Sequence, residues 1–244
     1  MSTQPPVRLA GEIEPFDSFW EGPDDVEKGY RTFGQFYRAN YLPHLPTRRD
    51  SQVLVVSCGP GYFVNLLRDC GYTNVRGIDS DPTKVAHARA RGLDCRHARA
   101  FEFLQSETEP YDVIICEQEL NHLTKTEMLQ FLRLVADRLK PGGTLICHGL
   151  NGANPIVGAE TLAQNIDHFN TFTAYSMRQV LEHTGFTDAR VFGLKLYVFY
   201  WNPLNYVGWT ATGLLHILFR LLFLLYGKSN RIFTKKLGAV ARRG

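Results

Sequence analysis

From residue 52 onward the chain alternates short runs of β-branched and apolar residues with longer amphipathic stretches. QVLVVS (52–57), VRGID (75–79), LDCRHA (93–98), YDVIICE (111–117) and TLICHGL (144–150) read as five strands. ARVFGLKLYVFY (189–200) and IFTKKLGAVA (232–241) are two further candidates. Helical patterns lie between them. FVNLLRDCG stops at Gly71, and Asp81 followed by Pro82 is a favoured helix start. Thr124 and Glu127 form a capping box ahead of a helix that carries Leu132, Val135, Ala136 and Leu139 on one face and stops at Lys140-Pro141-Gly142-Gly143. Ser176 and Gln179 repeat the box pattern and open a helix that ends at Gly185. Ahead of the first strand, residues 24–42 set Tyr30, Phe33, Tyr37 and Tyr41 at spacings of three and four, an amphipathic helix with an aromatic stripe. Residues 1–23 are Pro-rich and predict an irregular arm, leaving 24–244 as one domain.

Strands alternating with helices of this length imply right-handed βαβ units and a mostly parallel sheet. Ligands of such sheets bind outside the carboxyl ends of the strands. The turns after the first four strands should therefore share one site.

The segment 201–230 breaks the alternation. Tyr206 to Tyr226 is an almost continuous apolar run, roughly 31 Å long if helical and long enough to cross a bilayer. However, Thr212, His216 and Arg220 fall four apart, on one face, and an arginine at mid-bilayer costs on the order of 3 kcal/mol. A helix lying in the membrane interface, flanked by Lys195, Lys228, Arg231, Lys235 and Lys236, is the expectation. A helix capping the substrate cleft, or a homodimer surface, is the alternative.

Charge sharpens this picture. The net charge is +3, yet residues 189–244 hold nine Lys/Arg and no Asp or Glu, leaving 18 basic and 24 acidic residues in the remainder. Such a split predicts an anionic partner for residues 201–236, either a membrane or a nucleic acid. The basic residues interleave with a Leu-rich helix rather than with stacking aromatics, which favours the membrane. With 44% apolar and 21% charged residues, disordered and fibrous chains are excluded. Five cysteines scattered without a CxxC pair argue against a disulfide framework or a structural zinc site and fit a reducing compartment. No apolar run opens the sequence, so no secretory signal is expected.

The chemistry concentrates in SCGPG (57–61), between a strand and a helix. Gly59 and Gly61 would let a ligand approach the backbone and the helix N-terminus. Asp79 ends the next strand, where a carboxylate can accept hydrogen bonds from two ribose hydroxyls. Together they specify an adenosine-type ligand. Val64 stands where the third glycine of the dinucleotide fingerprint would fall, which argues against a dinucleotide.

VLVVSCGPGYF, GIDSDP, YDVIICEQELNHL and LKPGGTLICHGLN, in this order, resemble the motifs of class I S-adenosylmethionine-dependent methyltransferases over residues 30–200. The resemblance implies an α/β fold: a Rossmann-like, seven-stranded, mostly parallel sheet with helices on both faces and an antiparallel last strand. IFTKKLGAVA would be that strand, and 201–230 a helical insertion between the last two. It also implies S-adenosyl-L-methionine as cofactor. Ser57, Cys58, Gly59 and Gly61 would wrap its methionine end, Asp79 would hold the ribose, and Ala100 and Phe101 would border the adenine. Glu117 and Gln118 would sit near the sulfonium and the acceptor. The chain departs from the family pattern at Val55, Ser57, Arg99 and Asn121-His122.

HFNTFTAYSMRQVLEHTGF, VFYWNPLNYVGW and FRLLFLLYGKSNRIFTKKLGAVARR resemble a subset found in bacterial surface-polysaccharide clusters. That implies a sugar hydroxyl of a glycan, or of its lipid-linked precursor, as methyl acceptor. It also implies a cytoplasmic enzyme, peripheral on the inner face of the membrane. A hydroxyl needs a general base. His122 is the first candidate, as an imidazole following the fourth strand; His168 is second, and His148 and Glu119 come after. Two other readings stand beside this one: methylation of a quinone precursor or other lipid, and a cofactor-free scaffold docking through 201–230. CEQELNH lacks the prolines of nucleobase methyltransferases, so a nucleic-acid substrate is not expected.

Overall fold

The computed structural model describes residues 23–116, 119–164, 166 and 168–244; all but the last residue of the expected arm 1–23 lies outside them. The strands are β1 (Gln52–Val56), β2 (Asn74–Asp79), β3 (Cys95–His97), β4 (Tyr111–Cys116), β5 (Leu139–Leu150), β6 (Phe186–Gly193) and β7 (Lys236–Arg243). They form one sheet in the order β3-β2-β1-β4-β5-β7-β6. The first five pair in parallel, and β7 enters antiparallel to both β5 and β6. This is the expected Rossmann-like sheet with its inverted last strand.

Helices cover both faces. On one side α1 (Pro23–Asn40), α2 (Tyr62–Asp69) and α3 (Pro82–Ala90) pack on Val53, Val55, Val113 and Ile115. On the other, α4 (Ala100–Ser106), α5 (Lys125–Arg138) and α7 (Ala174–His183) pack on Leu54, Val56 and Ile114. Alternate residues of β1 therefore face opposite cores, and both cores are apolar. That is why the strand reads as an unbroken apolar run rather than an alternating one.

Local chemistry sets several boundaries as expected. The Asp81 carboxylate accepts from the backbone N–H of Thr83 and Lys84, 2.7 and 3.2 Å away. Thr124 and Glu127 close their capping box reciprocally. Tyr30, Tyr37 and Tyr41 of the aromatic stripe are buried, whereas Phe33 stays partly exposed against Tyr62.

Other boundaries differ. The box that opens α7 is Thr173 with Ser176, so Ser176 is the third helical residue and not the cap. β5 begins at Leu139 and takes in Lys140–Gly143 through an irregularity opposite Tyr111–Val113. The strand expected over 189–200 runs from Phe186 to Gly193. Just beyond it the Asn40 amide engages the backbone, accepting from the Lys195 N–H (2.7 Å) and donating to the Lys195 carbonyl (2.9 Å). Two short helices, α4 and α6 (Gly158–Ala163), were not anticipated.

The insertion is the single helix α8 (Pro203–Leu225), capped by Asn202. Thr212 and His216 do not share an outward polar face with Arg220. Their side of the helix leans on the body, with His216 and Phe219 against Phe233, while Arg220 points to solvent.

His148, considered as a general base, lies buried in β5. Its Nδ1 shares a hydrogen bond with the Tyr41 hydroxyl, and its Nε2 has no hydrogen-bond partner among the described residues. Burial, then the Lys236 charge, holds its pKa well below the ordinary 6.5. The unfolded chain thus binds the proton more readily than the folded one. Stability is full above the unfolded-state value near 6.5 and falls as pH drops below it, by up to about 1.4 kcal/mol per pH unit for one proton. Urea midpoints measured from pH 7.5 downward should show this slope, and His148→Gln should flatten it; parallel slopes for the two proteins would exclude His148 as its source.

Candidate active site

The turn after β1 is wound by three left-handed residues. Ser57, Gly59 and Gly61 have φ of 57°, 54° and 82°. The Cys58 N–H donates to the Ile78 carbonyl (3.0 Å), and the Gly61 N–H closes back on the Cys58 carbonyl (2.9 Å). The two glycines serve different ends. A side chain at Gly61 would collide with Leu93 at 2.7 Å and press on Ala88 and Cys95, so packing against α3 and β3 requires the glycine. A side chain at Gly59 would meet nothing within 4 Å. Its missing Cβ leaves open space beside the backbone. Cys58 is buried, its Sγ 2.7 Å from where a Cβ on Gly77 would stand and 3.6 Å from the Gly59 carbonyl oxygen.

Asp79 ends β2 beside this turn, half-buried. One carboxylate oxygen accepts from the Gly59 N–H at 2.8 Å and the other from the Asp81 N–H at 2.9 Å. Each oxygen keeps a lone pair free of those two bonds. Ala100 and Phe101 open α4 after β3, both half-buried, with Phe101 edge-on to Phe131. Arg99 is exposed next to Glu102. A polar carboxylate rim, an uncovered glycine backbone and an apolar wall thus line the carboxyl ends of β1, β2 and β3. These residues fit an adenosyl ligand.

Two features that the sequence reading passed over secure the turn. The Tyr30 hydroxyl donates to the Pro60 carbonyl at 2.6 Å. Arg91 stacks over the Tyr30 ring at 3.9 Å while forming an ion pair with Glu27. Tyr30 belongs to the aromatic stripe, whose spacing marks it as core; nothing local marks its hydroxyl as a clamp.

The residues after β4 approach those before α7. His122 and His168 lie edge to face with ring centroids 4.8 Å apart, each half-buried. His168 Nδ1 lies 2.7 Å from the Thr161 carbonyl oxygen, which can only accept, so Nδ1 carries a proton and Nε2 is the basic nitrogen of the neutral ring. His122 does not cap α5, since Thr124 does. Two buried asparagines bring the two loops together. The Asn121 carbonyl accepts from the Phe169 N–H (2.8 Å), and its side-chain oxygen accepts from the Leu150 N–H (3.2 Å). The Asn170 amide donates to the Leu123 carbonyl. Glu119 starts a short 3₁₀ turn through Asn121; its side chain, and the whole of Glu117 and Gln118, lie outside the described residues. Cys147 is fully buried and its thiol is pushed up to about 12 by burial, so it is no nucleophile. Among the described residues no cluster of His, Cys, Asp or Glu could hold a metal ion.

A sequence family described as "Methyltransferase domain" matches residues 30–191, about two thirds of the chain. A probable S-adenosylmethionine-dependent methyltransferase of Mycolicibacterium smegmatis is 33% identical over 147 residues, 59% of this chain and 54% of that protein. The chain thus spans about half the length of that relative. A ubiquinone biosynthesis O-methyltransferase of Aliivibrio fischeri is 28% identical over 213 residues, 80% of this chain and 88% of the relative. Among solved structures, a SAM-dependent methyltransferase from Archaeoglobus fulgidus superposes with a TM-score of 0.67 at 16% identity, covering 93% of this chain and 98% of that one, a likeness of fold.

The left-handed backbone at Ser57 generates a prediction. A residue with a Cβ pays roughly 1–2 kcal/mol there, and a β-branched one more. Serine already bears that cost, so Ser57→Val should lower unfolding stability in urea titration by the further increment of β-branching, while Ser57→Gly should match or exceed the parent. A valine variant as stable as the parent would refute the strained turn.

Proposed function

The chain belongs to the methyltransferase-domain family and is an S-adenosyl-L-methionine-dependent methyltransferase, and from that premise we propose that it methylates a hydroxyl on a lipid-linked acceptor, with the His122–His168 pair receiving the hydroxyl proton. The observation that carries this reading is the pair itself, two imidazoles held 4.8 Å apart at the carboxyl edge of the sheet that also bears the glycine turn and Asp79. When bound, the cofactor supplies an electrophilic methyl group, released as the new carbon–oxygen bond forms.

The chain's own residues do the rest. Asp79 would accept from the ribose hydroxyls through its remaining lone pairs, and the backbone of residues 57–59 would hold the methionine end. Phe101 and Ala100 present the apolar edge for the adenine. At the acceptor, His168 Nε2 takes the proton as the oxygen attacks, because Nδ1 is committed to Thr161. Asn121 and Asn170 hold both imidazoles in place and act as positioning residues.

The relatives' names, ubiquinone biosynthesis O-methyltransferases, favour an oxygen acceptor on a quinone precursor, of phenol type. The likeness of the tail to the surface-polysaccharide subset favours a sugar hydroxyl on a lipid-linked glycan, which needs the same base and the same donor. Incubating the enzyme with membrane-lipid extract and radiolabelled S-adenosylmethionine separates the two. Label should enter the organic phase; mild acid should move it to the aqueous phase for a sugar and leave it in place for a phenol. No labelled lipid from any extract would overturn the reading.

Two variants test the residues. Asp79→Ala should weaken S-adenosylmethionine binding by about 1–3 kcal/mol, roughly 5- to 150-fold, in calorimetry; equal affinity would remove Asp79 from the ribose. His168→Ala should lower kcat by about 10²–10⁴ with cofactor affinity retained, and His122→Ala should do so less. An unchanged kcat and pH profile in both would remove the pair as the base.

A further inference from the structure

We infer that α8 is a docking helix that lies flat in the interface of an anionic membrane. The inference is independent of the acceptor proposed above. One narrow stripe of the helix meets the protein. Asn205 and Phe219 are its buried residues, Gly208 abuts the Tyr197 ring, and Phe223 stands 5.0 Å from Phe233. Residues 205, 208, 212, 216, 219 and 223 step by three and four, so the contact follows the length of the helix. The rest of the surface is outward and apolar. Leu204, Val207, Leu214, Ile217, Leu221 and Leu225 are between 57% and 82% exposed, along an element about 35 Å long. An apolar surface of that extent on a folded domain marks an interaction site.

Charge and aromatic residues select the occupant. No acidic residue occurs between 189 and 244, and exposed Lys195, Lys228 and Arg231 flank the helix at both ends. Trp201, Trp209 and Tyr226 are exposed near its two ends, where the indole and phenol groups suit the boundary between headgroups and acyl chains. A second copy of the chain would bring the same positive rim against itself, whereas an anionic bilayer complements it. The helix is long and apolar enough to cross a membrane. Crossing would strip it from Phe233 and carry the exposed Arg220 into the acyl region. Docked flat, it keeps its stripe on the body and lets Arg220 reach the headgroups.

The insertion also sits where docking would serve the site. β6 ends and β7 begins at the carboxyl end of β5, with Leu150 opposite Lys236 and Gly193 opposite Leu237. The segment after α8 is stitched to the loop after β5. The Asn151 amide donates to the Ile232 and Thr234 carbonyls, and the Asn154 amide to the Phe233 carbonyl.

Vesicle sedimentation of the full chain tests this. The parent should pellet with phosphatidylcholine vesicles containing about one third phosphatidylglycerol, and at least about tenfold less with phosphatidylcholine alone. The triple variant Leu214→Gln, Ile217→Gln, Leu221→Gln changes only exposed positions. It should keep its circular dichroism and its S-adenosylmethionine affinity while losing at least about tenfold in vesicle binding. Lys228→Glu with Arg231→Glu should lose binding to the anionic vesicles in the same assay. Failure of the parent to pellet, equal binding by the triple variant, or a parent dimer in light scattering that the triple variant dissolves would each overturn the proposal. Loss of methyl transfer to every acceptor, with vesicle binding intact, would bear on the acceptor alone.

Discussion

The hydrogen bond from the Gly59 N–H to the Asp79 carboxylate, 2.8 Å long, joins the end of β1 to the end of β2. The rest of the cofactor side depends on it. Parallel pairing sets Val56 beside Ile78 at the same height, so the residues after each strand emerge as neighbours. The left-handed turn then folds the backbone of residues 57–61 over toward Asp79 rather than away from it. The bond shows how a ligand would be accommodated as well. Asp79 is already oriented by two backbone donors, so no side-chain freedom has to be lost when its outer lone pairs are used.

The proposed acceptor side, the loops that carry His122 and His168, is held by a different device. Residues 119–123 and 168–172 belong to no common sheet or helix, so their backbone groups need other partners. Asn121 and Asn170 supply them from buried positions. The Asn170 amide links one loop to the other, and the Asn121 side chain ties its loop to β5; displacement would leave these buried polar groups unpaired. His122 and His168 stand on the two loops so joined, their ring centroids 4.8 Å apart. His148 illustrates the opposite case. Its position in β5 turns it into the core against Tyr41, and burial there suppresses the charge that a base must acquire.

What was legible in the sequence was what local chemistry decides. The Asp81-Pro82 start and the Thr124–Glu127 box each complete their hydrogen bonds within four residues, so the sequence alone identifies them. The β-branched runs and the glycine turn were equally readable, and the inverted last strand was implied by the family resemblance. Errors gathered where a distant residue decides. Asn40, far away in the chain, holds the backbone that follows β6, and the neighbours that make Gly61 indispensable, Leu93, Ala88 and Cys95, lie on and between α3 and β3. The polar face assigned to α8 failed for the same reason. Thr212 and His216 repeat every four residues with Arg220, but Phe233 selects which side of the helix is covered.

The location of α8 follows from topology more than from its own composition. Because β7 runs antiparallel between β5 and β6, the chain leaves β6 and returns to β7 at one edge of the sheet, the carboxyl edge. Any insertion in that connection must emerge beside the functional turns. An insertion at the opposite edge would have been equally tolerable for folding but remote from the chemistry. The fold therefore couples two properties that a sequence reader meets separately, a glycine turn near the beginning and an apolar basic stretch near the end. The asparagines of the loop after β5, holding residues 232–234, make that coupling rigid. A surface docked on α8, as proposed, would therefore lie at the same edge of the sheet as the His122–His168 pair.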